Sequence, residues 1–272
     1  MDIADYPPQE PFSDVGKKYA AEVMMRGEGV SGEDHSYGDD PYQSLTLHVP
    51  KNPNGTVFAF IHGGGWTSGY KEHMNFMAPP LMAANIIFIS IGYRLAPQHI
   101  FPVGVDDVAD ALSSIYQRVD KFNGNPDRIF VGGHSAGGHY SSLLAVRNDW
   151  QAKRDIPDSI IRGCLPVSGV YDFTEGNGMA MRPKFLGDGE TEFAASPIHN
   201  IAQTPPFFMA HGSEDFPHLI TQAEAMEKAL CKVGGDATRI IMTGRDHFSA
   251  SYATGEEDGP WVSRALKWME AH

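Results

Sequence analysis

Gly133-His134-Ser135-Ala136-Gly137 follows directly after the apolar run Ile129-Phe130-Val131, and a helical pattern over residues 136–146 comes next. A strand, a G-x-S-x-G pentapeptide and a helix in this order are typical of a tight turn that lifts a serine hydroxyl above a parallel sheet. Glycines on both sides of Ser135 remove the Cβ atoms that would clash in such a turn. The positive end of the helix dipole would favour a negatively charged oxygen beside the serine. The stretch therefore predicts a nucleophile at Ser135.

A second glycine motif, His62-Gly63-Gly64-Gly65-Trp66, follows the apolar run Val57–Ile61. A run of glycines lets the main chain come close to a reacting group and turn several N–H groups toward it. In acyl transfer, one such donor typically lowers the barrier by about 3 kcal/mol. We predict that the oxyanion hole is formed by the backbone N–H groups of Gly64, Gly65 and Ala136.

A serine hydroxyl is a weak nucleophile and needs a histidine base that a carboxylate orients. The chain order serine, acid, histidine that accompanies this kind of turn selects the partners. His247 comes directly after the last predicted strand, Arg239–Met242, and is the predicted base. Asp215 follows the predicted strand Phe207–Ala210 and is the predicted acid, with Asp172 as the alternative because it follows the preceding strand.

Apolar runs and helical patterns alternate along most of the chain. Short apolar runs without strict alternation indicate strands that helices bury on both faces. The predicted strands are Val57–Ile61, Ile86–Ile91, Ile129–Gly132, Ile160–Ser168, Phe207–Ala210 and Arg239–Met242, with Leu45–Val49 as an edge strand. The predicted helices are Asp14–Arg26, Glu72–Ala84, Val105–Val119, Ser135–Val146, Leu219–Lys232 and Val262–Glu270. The pattern predicts an α/β protein with a mostly parallel, doubly wound sheet, in one domain spanning residues 1–272.

Two segments stand outside this alternation. Residues 1–44 are expected to form an N-terminal segment near the pocket or the sheet edge. Residues 171–200 form a glycine-rich insertion, and an insertion of this length is usually functional. We expect a small lid that supplies an apolar wall, the alternative being a surface loop without substrate contact. The substrate-pocket candidates are Trp66, Met181 and Phe185.

Charge and composition limit the classes of partner. The chain has 272 residues, 42% of them hydrophobic, and a formal net charge of −13. The negative charge argues against nucleic acid and against an anionic membrane surface as partners. A small-molecule ester or amide is the expected partner, and a homodimer is compatible with the sequence.

Cofactor motifs are lacking from the sequence. It has two cysteines, Cys164 and Cys231, and no H-E-x-x-H, Walker or G-x-G-x-x-G motif in a suitable context. We therefore predict no metal and no cofactor. The first residues show no signal-peptide pattern, and no apolar run reaches the length of a spanning helix, so a cytoplasmic location is expected.

Four segments resemble the HGG-type serine esterases of the α/β-hydrolase superfamily. They are His62–Trp66, Tyr93–Pro97, Phe101–Val108 with its Asp106-Asp107 pair, and Gly133–Gly138. The resemblance runs from about Leu45 to the end of the chain. It implies the α/β-hydrolase fold and a serine, aspartate and histidine triad at the positions named above.

This group spans hormone-sensitive-lipase-like carboxylesterases and kynurenine formamidase-like hydrolases. Trp66 after the glycines and His134 before the serine resemble the formamidase-like branch, as do residues 166–172 and 196–198. The segment Tyr93–Pro97, in contrast, is shared with ordinary esterases.

Three functions follow, in order of preference. The first is hydrolysis of small to medium, partly aromatic carboxylic esters through an acyl-enzyme intermediate. The second is hydrolysis of arylformamides of the N-formylkynurenine type. The third is a non-catalytic small-molecule binding protein on a hydrolase scaffold, which would be expected to have lost the nucleophile or the base.

Overall fold

The computed structural model describes residues 2–174, 182–187 and 190–272. Within them, one sheet is built from strands β1 (Glu33–Ser36), β2 (Ser44–His48), β3 (Val57–Ile61), β4 (Ile87–Ile91), β5 (Ile129–His134), β6 (Gly163–Val167), β7 (Phe207–Glu214) and β8 (Ala237–Asp246). Their order across the sheet is β1-β2-β4-β3-β5-β6-β7-β8. Neighbouring strands from β4 to β8 are parallel, and only β2 runs opposite to both of its neighbours. The prediction of a mostly parallel sheet is confirmed.

Helices connect these strands. In the described residues they are α1 (Asp14–Arg26), α2 (Ala78–Ala83), α3 (Val103–Arg118), α4 (Ala136–Val146), α5 (Arg182–Phe185), α6 (Glu192–Ala195), α7 (Pro217–Lys232), α8 (His247–Tyr252) and α9 (Val262–Ala271). The helix predicted over Glu72–Ala84 is instead a 3₁₀ segment, Lys71–Met77, followed by the short α2. Pro79 and Pro80 lie in the first turn of α2, where proline is tolerated because that turn needs no N–H donors.

The alternating segment Leu45–Val49 suggested an edge strand, but β2 lies one position inside the sheet edge. Strand β1 pairs outside it, and all five residues of β2 are buried. Thr46 Oγ1 donates to Asp34 Oδ1 at 2.7 Å, and His48 Nε2 lies 3.3 Å from Asn75 Oδ1. The polar residues that alternate along this strand are therefore not exposed to solvent. They are buried, and each has a hydrogen-bond partner.

Alternate residues of β3 enter different halves of the core. Val57, Ala59 and Ile61 pack in the cluster that contains α3, α4 and α7 residues, whereas Phe58 and Phe60 pack with residues of α1, α2 and α9. All five are fully buried. Since side chains alternate across a strand, both faces of the sheet are covered, as a doubly wound sheet requires.

The carboxyl ends of four parallel strands lie on the same edge of the sheet. The triple-glycine loop follows β3, and the G-x-S-x-G turn lies at the end of β5. Asp215 directly follows β7, and His247 directly follows β8 as the first residue of α8. Ile61 at the end of β3 is in register with Gly133 of β5. Sheet topology thus brings together segments that lie between 32 residues apart in sequence (Asp215 and His247) and 185 residues apart (His62 and His247).

Candidate active site

Ser135 occupies a strained turn between β5 and α4. Its backbone has φ 54° and ψ −115°, a conformation that L-residues rarely adopt. A Cβ at Gly133 would lie 2.2 Å from the carbonyl carbon of Gly137, and a Cβ at Gly137 would lie 2.0 Å from the carbonyl oxygen of Ile61. Glycine is therefore required at both positions by direct contact with backbone atoms.

His247 stands between the serine and a carboxylate. Its Nε2 lies 3.0 Å from Ser135 Oγ, and its Nδ1 lies 2.8 Å from Asp215 Oδ1. Asp246 caps α8, accepting from the backbone N–H of Ser249 at 2.7 Å, and so fixes the backbone of the first helical residue, His247. His134 Nε2 donates to the carbonyl of His247 at 2.9 Å, which ties the backbone of His247 to the end of β5.

The carboxylate of Asp215 is buried and fully hydrogen-bonded. Oδ2 accepts from Ser168 Oγ at 2.5 Å, and Oδ1 also accepts from the backbone N–H of Phe216 at 2.8 Å. Burial on its own would raise the pKa of Asp215, but the hydrogen bond and charge of His247, with the Ser168 and Phe216 donors, outweigh it. The pKa is lowered to about 2, so the carboxylate stays ionised.

Asp172, the alternative acid, lies elsewhere. Its Oδ1 accepts hydrogen bonds from the N–H and hydroxyl of Thr174 at 2.9 and 2.7 Å, and lies 3.4 Å from His199 Nε2. The structure thus places Asp215, and not Asp172, against His247.

Ser168 was not among the site residues predicted from the sequence. It follows β6 directly and has φ 51°, which aims its hydroxyl at the acid. Its position along the chain could have indicated it. Ser168 is a polar residue at the carboxyl end of β6, which lies between β5 and β7, so it is on the same sheet edge as Ser135 and Asp215.

The triple-glycine loop has left-handed backbone angles, φ 120° at Gly64, 60° at Gly65 and 62° at Trp66. A Cβ at Gly64 would lie 1.8 Å from the carbonyl oxygen of Ser68. Within the described residues, the N–H groups of Gly64 and Gly65 donate to no protein acceptor, and Ala136 N–H opens the first turn of α4. Gly64 and Gly65 line the same cleft as Ser135, and the oxyanion hole at Gly64, Gly65 and Ala136 stays a prediction.

Contacts on both sides fix this loop. His62 Nδ1 donates to the Gly63 carbonyl at 2.7 Å, and its ring stacks on Tyr93 with centroids 4.4 Å apart. At the far end, Gly69 N–H donates to Gln9 Oε1 at 2.6 Å, which ties the loop to the N-terminal segment.

Trp66 is buried, with one side against the cavity and the other against aromatic rings. Its indole N–H donates to His139 Nδ1 at 3.1 Å, and His139 Nε2 donates to the Ala195 carbonyl at 2.6 Å. Burial lowers the pKa of His139 to about 3, so its ring is neutral and can donate and accept at once.

Phe185, predicted on the pocket wall, lies behind Trp66 instead. Its side chain is fully buried, and its ring stacks on the indole with centroids 4.4 Å apart. Phe101 N–H donates to the Phe185 carbonyl at 2.9 Å, which anchors the backbone at this position. Met181 lies outside the described residues, and the lid over 171–200 stays a prediction because residues 175–181 and 188–189 also lie outside them.

A cleft of about 490 Å³ opens above Ser135 and His247. The N-terminal segment forms one wall, and an ion pair between Glu10 and Lys184 crosses the cleft from that wall to α5. The apolar and aromatic side chains on the cleft surface include Phe12, Tyr19, Trp66, Val170, Phe216 and Leu219. Residues between Glu10 and Tyr19, together with Lys184, thus line the cleft. The sequence analysis expected residues 1–44 near the pocket or the sheet edge but did not name these side chains.

The described part of the chain contains neither a cluster suited to a metal ion nor a helix suited to crossing a membrane. No group of three or more His, Cys, Asp or Glu side chains there could hold a metal ion. No helix there is long and apolar enough to cross a membrane.

Comparison with known proteins identifies the family. The BD-FAE family model matches residues 45–230, well over half of the chain. The chain belongs to the BD-FAE family. Esterase LipC of Mycobacterium tuberculosis is 32% identical over 217 residues, covering 71% of this chain and 53% of that protein. Kynurenine formamidase of Salmo salar is 27% identical over 242 residues, covering 86% of this chain and 80% of that protein.

The chain spans about half the length of several curated relatives that it matches. A solved structure of a hyperthermophilic esterase from Pyrobaculum calidifontis superposes with a TM-score of 0.78 at 20% identity, covering 94% of this chain and 92% of that one. The predicted α/β-hydrolase fold is confirmed. The predicted resemblance to carboxylesterase-type and formamidase-type hydrolases is confirmed as well.

Proposed function

We propose that this protein is a serine hydrolase that cleaves carboxylic esters through an acyl-enzyme intermediate. One observation carries the proposal: His247 bridges Ser135 Oγ at 3.0 Å and Asp215 Oδ1 at 2.8 Å, in the chain order and the turn that the family motifs imply. The relative named esterase LipC supports ester hydrolysis as the chemistry.

Acylation uses each member of the triad. Ser135 Oγ attacks the carbonyl carbon of the ester while its proton passes to His247 Nε2. Asp215 stays ionised and stabilises the imidazolium through Nδ1–H. The tetrahedral intermediate collapses when the C–O bond to the alcohol breaks, and the alcohol oxygen takes the proton from Nε2. The acyl group remains on Ser135 Oγ as an ester.

Deacylation repeats the steps with water. His247 Nε2 takes a proton from water, the resulting hydroxide attacks the acyl carbon, and Ser135 Oγ leaves with the proton from Nε2. In both tetrahedral intermediates the negative oxygen accepts from the N–H groups of Gly64, Gly65 and Ala136. Such fixed donors stabilise the transition state because they need no reorganisation during the reaction.

The cleft supports a small to medium substrate with an aromatic part. A volume of about 490 Å³ accommodates molecules of that size, and Phe12, Tyr19 and Phe216 offer flat apolar surfaces. The glycine loop and the serine lie at the base of this cleft, so the scissile carbonyl is expected there.

Arylformamide hydrolysis is the second candidate. The match to the salmon kynurenine formamidase favours it, since that protein is covered over 80% of its length, compared with 53% for LipC. The same triad would cleave the C–N bond, with His247 protonating the leaving amine.

The test combines covalent labelling with a substrate panel. A fluorophosphonate should label the wild-type protein and not Ser135→Ala, and the label should map to Ser135. The panel compares kcat/KM for p-nitrophenyl acetate, p-nitrophenyl octanoate and N-formylkynurenine. A formamide preference of orders of magnitude would replace the ester assignment. Absence of labelling together with absence of turnover would leave a binding protein as the remaining function.

A further inference from the structure

The cleft wall holds a histidine that the proposed mechanism does not use. His73 lies in the 3₁₀ segment Lys71–Met77, is 3% exposed, and lines the same cleft as Ser135 and His247. Its ring belongs to an aromatic wall formed with Phe12, Tyr19 and Tyr70, at centroid distances of 5.9, 6.5 and 5.3 Å. Tyr19 in turn contacts the ring of His134, next to the nucleophile, at 5.8 Å.

Two other polar side chains on this surface bond to protein partners. The hydroxyl of Tyr19 is paired with Ser251 Oγ at 2.8 Å, and Ser68 Oγ donates to the Gly64 carbonyl at 2.9 Å. Neither ring nitrogen of His73 has a hydrogen-bond partner among the described residues. In the described part of the chain, the unpartnered side-chain atoms that are closed off from solvent do not include the His73 nitrogens, so these nitrogens remain accessible for a hydrogen bond with a ligand.

The segment that carries His73 is held firmly. Lys71, whose side chain is fully buried, pairs with Asp34 at 2.7 Å and with Glu72 at 2.6 Å, and Ser90 Oγ donates to the Lys71 carbonyl at 2.6 Å. None of these four residues lines the cleft. The imidazole is therefore presented to the cleft by a fixed backbone.

We propose that His73 determines substrate specificity by hydrogen-bonding an uncharged polar group on the part of the substrate that lies along the aromatic wall. Substrates with such a group are hydrolysed faster than apolar substrates of the same shape. Burial, with the proximity of His62, lowers the pKa of His73 to about 3, so the ring is neutral at physiological pH. A neutral imidazole donates from one nitrogen and accepts at the other, and it offers no charge to pair with a carboxylate.

This inference rests on the proposed hydrolase function, because it needs a substrate in the cleft. The test uses two pairs of esters, each pair nearly equal in shape. The first is p-nitrophenyl butyrate and p-nitrophenyl methoxyacetate, which differ by an oxygen in the acyl chain. The second is phenyl acetate and meta-hydroxyphenyl acetate, which differ by a hydroxyl on the alcohol. The quantity measured is the ratio of kcat/KM for the polar ester to kcat/KM for the apolar ester of each pair. The two esters differ in intrinsic reactivity, but this difference is the same for every enzyme variant and cancels when the ratios of two variants are compared.

In His73→Phe, the ratio should fall about 2- to 10-fold in at least one pair, which is the range for one neutral hydrogen bond. His73→Asn should keep part of the preference, because its amide still donates and accepts. His48→Gln is the matched control: His48 is buried, contacts Asn75 of the same segment, and does not line the cleft, so its ratios should equal those of wild type.

Ratios that stay at the wild-type value in an active His73→Phe would overturn the inference, and so would an equal loss of kcat/KM for all four esters. His73→Leu provides the same comparison in a smaller side chain if phenylalanine does not fit. Wild-type protein that hydrolyses none of the four esters would instead overturn the proposed function, and the inference with it.

Discussion

Ser168 Oγ donates a hydrogen bond to Asp215 Oδ2 at 2.5 Å, while the other oxygen of that carboxylate accepts from His247 Nδ1 at 2.8 Å. The acid is thus held from two sides, and its orientation toward the base is set by a residue of a different strand. Among the described residues, the Ser168 hydroxyl bonds to Asp215 and not to the side chain of Ser135 or His247, so we expect it to act through Asp215, as a positioning residue.

Replacing Ser168 by alanine should lower kcat by about 10-fold, the lower end of the range for a hydrogen bond to a charged group. The carboxylate would lose one donor, its pKa would rise, and it would hold His247 less firmly. Steady-state kinetics check the effect. Ser141→Ala, which removes a hydroxyl that donates to the Gly138 carbonyl, is the control and should keep near-wild-type kcat. Equal losses in the two variants would show that Ser168 has no special role.

Asp215→Asn should lower kcat by about 10⁴-fold, as expected when the orienting acid of such a triad loses its charge. Asp172→Asn should have little effect, because Asp172 contacts Thr174 and His199 and not the base. Measuring kcat/KM of the two variants on one ester decides between the acids. The reverse ranking would transfer the role to Asp172.

Acidification should remove a stabilising contribution of Asp215. Its folded-state pKa of about 2 lies below the value of about 3.9 expected in the unfolded chain. The contribution is therefore present above about pH 4 and is lost as the pH falls through about 2, and the difference corresponds to about 2 kcal/mol of unfolding free energy.

Urea denaturation of the wild type and of Asp215→Asn measures this contribution. The difference in their free energies of unfolding should narrow by about 2 kcal/mol between about pH 5 and pH 2. The other groups that titrate in this range are present in both proteins, so the change in the difference reports the carboxylate. A constant difference would mean that the pKa of Asp215 is not depressed.

His139→Phe should destabilise the protein by about 1–3 kcal/mol, because the buried indole N–H of Trp66 would lose its acceptor. It should also lower kcat, since Trp66 directly follows the N–H donors at Gly64 and Gly65. In a double-mutant cycle with Trp66→Phe, denaturation should show non-additive losses, as contacting residues do. Additive losses in the free energy of unfolding would show that Trp66 and His139 do not stabilise each other.

Gly137→Ala should abolish activity and strongly reduce folded protein, because the new Cβ would lie 2.0 Å from the Ile61 carbonyl oxygen. Gly234→Ala is the contrasting variant. Gly234 has φ +83° and open space around it, so alanine there should cost only about 1–2 kcal/mol of backbone strain. Expression and thermal unfolding compare the two, and similar behaviour would argue against steric exclusion at Gly137.

Local sequence patterns were sufficient to predict most of the fold and the three side chains that the structure brings together at the centre of the candidate site. Buried parallel strands have short apolar runs as their sequence pattern, so each of the six strands predicted besides the edge strand overlaps an observed parallel strand. The residues that follow these strands led to the prediction of Ser135, Asp215 and His247. Each of these signals depends on backbone geometry within a few residues, such as the glycines that a strand-to-helix turn requires.

The remaining features depend on contacts between distant segments, which no local pattern encodes. Strand β1 covers β2 because Asp34 meets Thr46 and Lys71, and polar side chains that would otherwise face water become buried. Phe185 lies behind Trp66, where its ring packs on the indole and on Phe173. The residue types at the strand ends are a local property, and they led to Ser135, His247 and Asp215, with Asp172 as the alternative acid. The placement of Asp215 rather than Asp172 against His247, and the walls around the serine, depend on packing across the whole sheet, which local patterns do not encode.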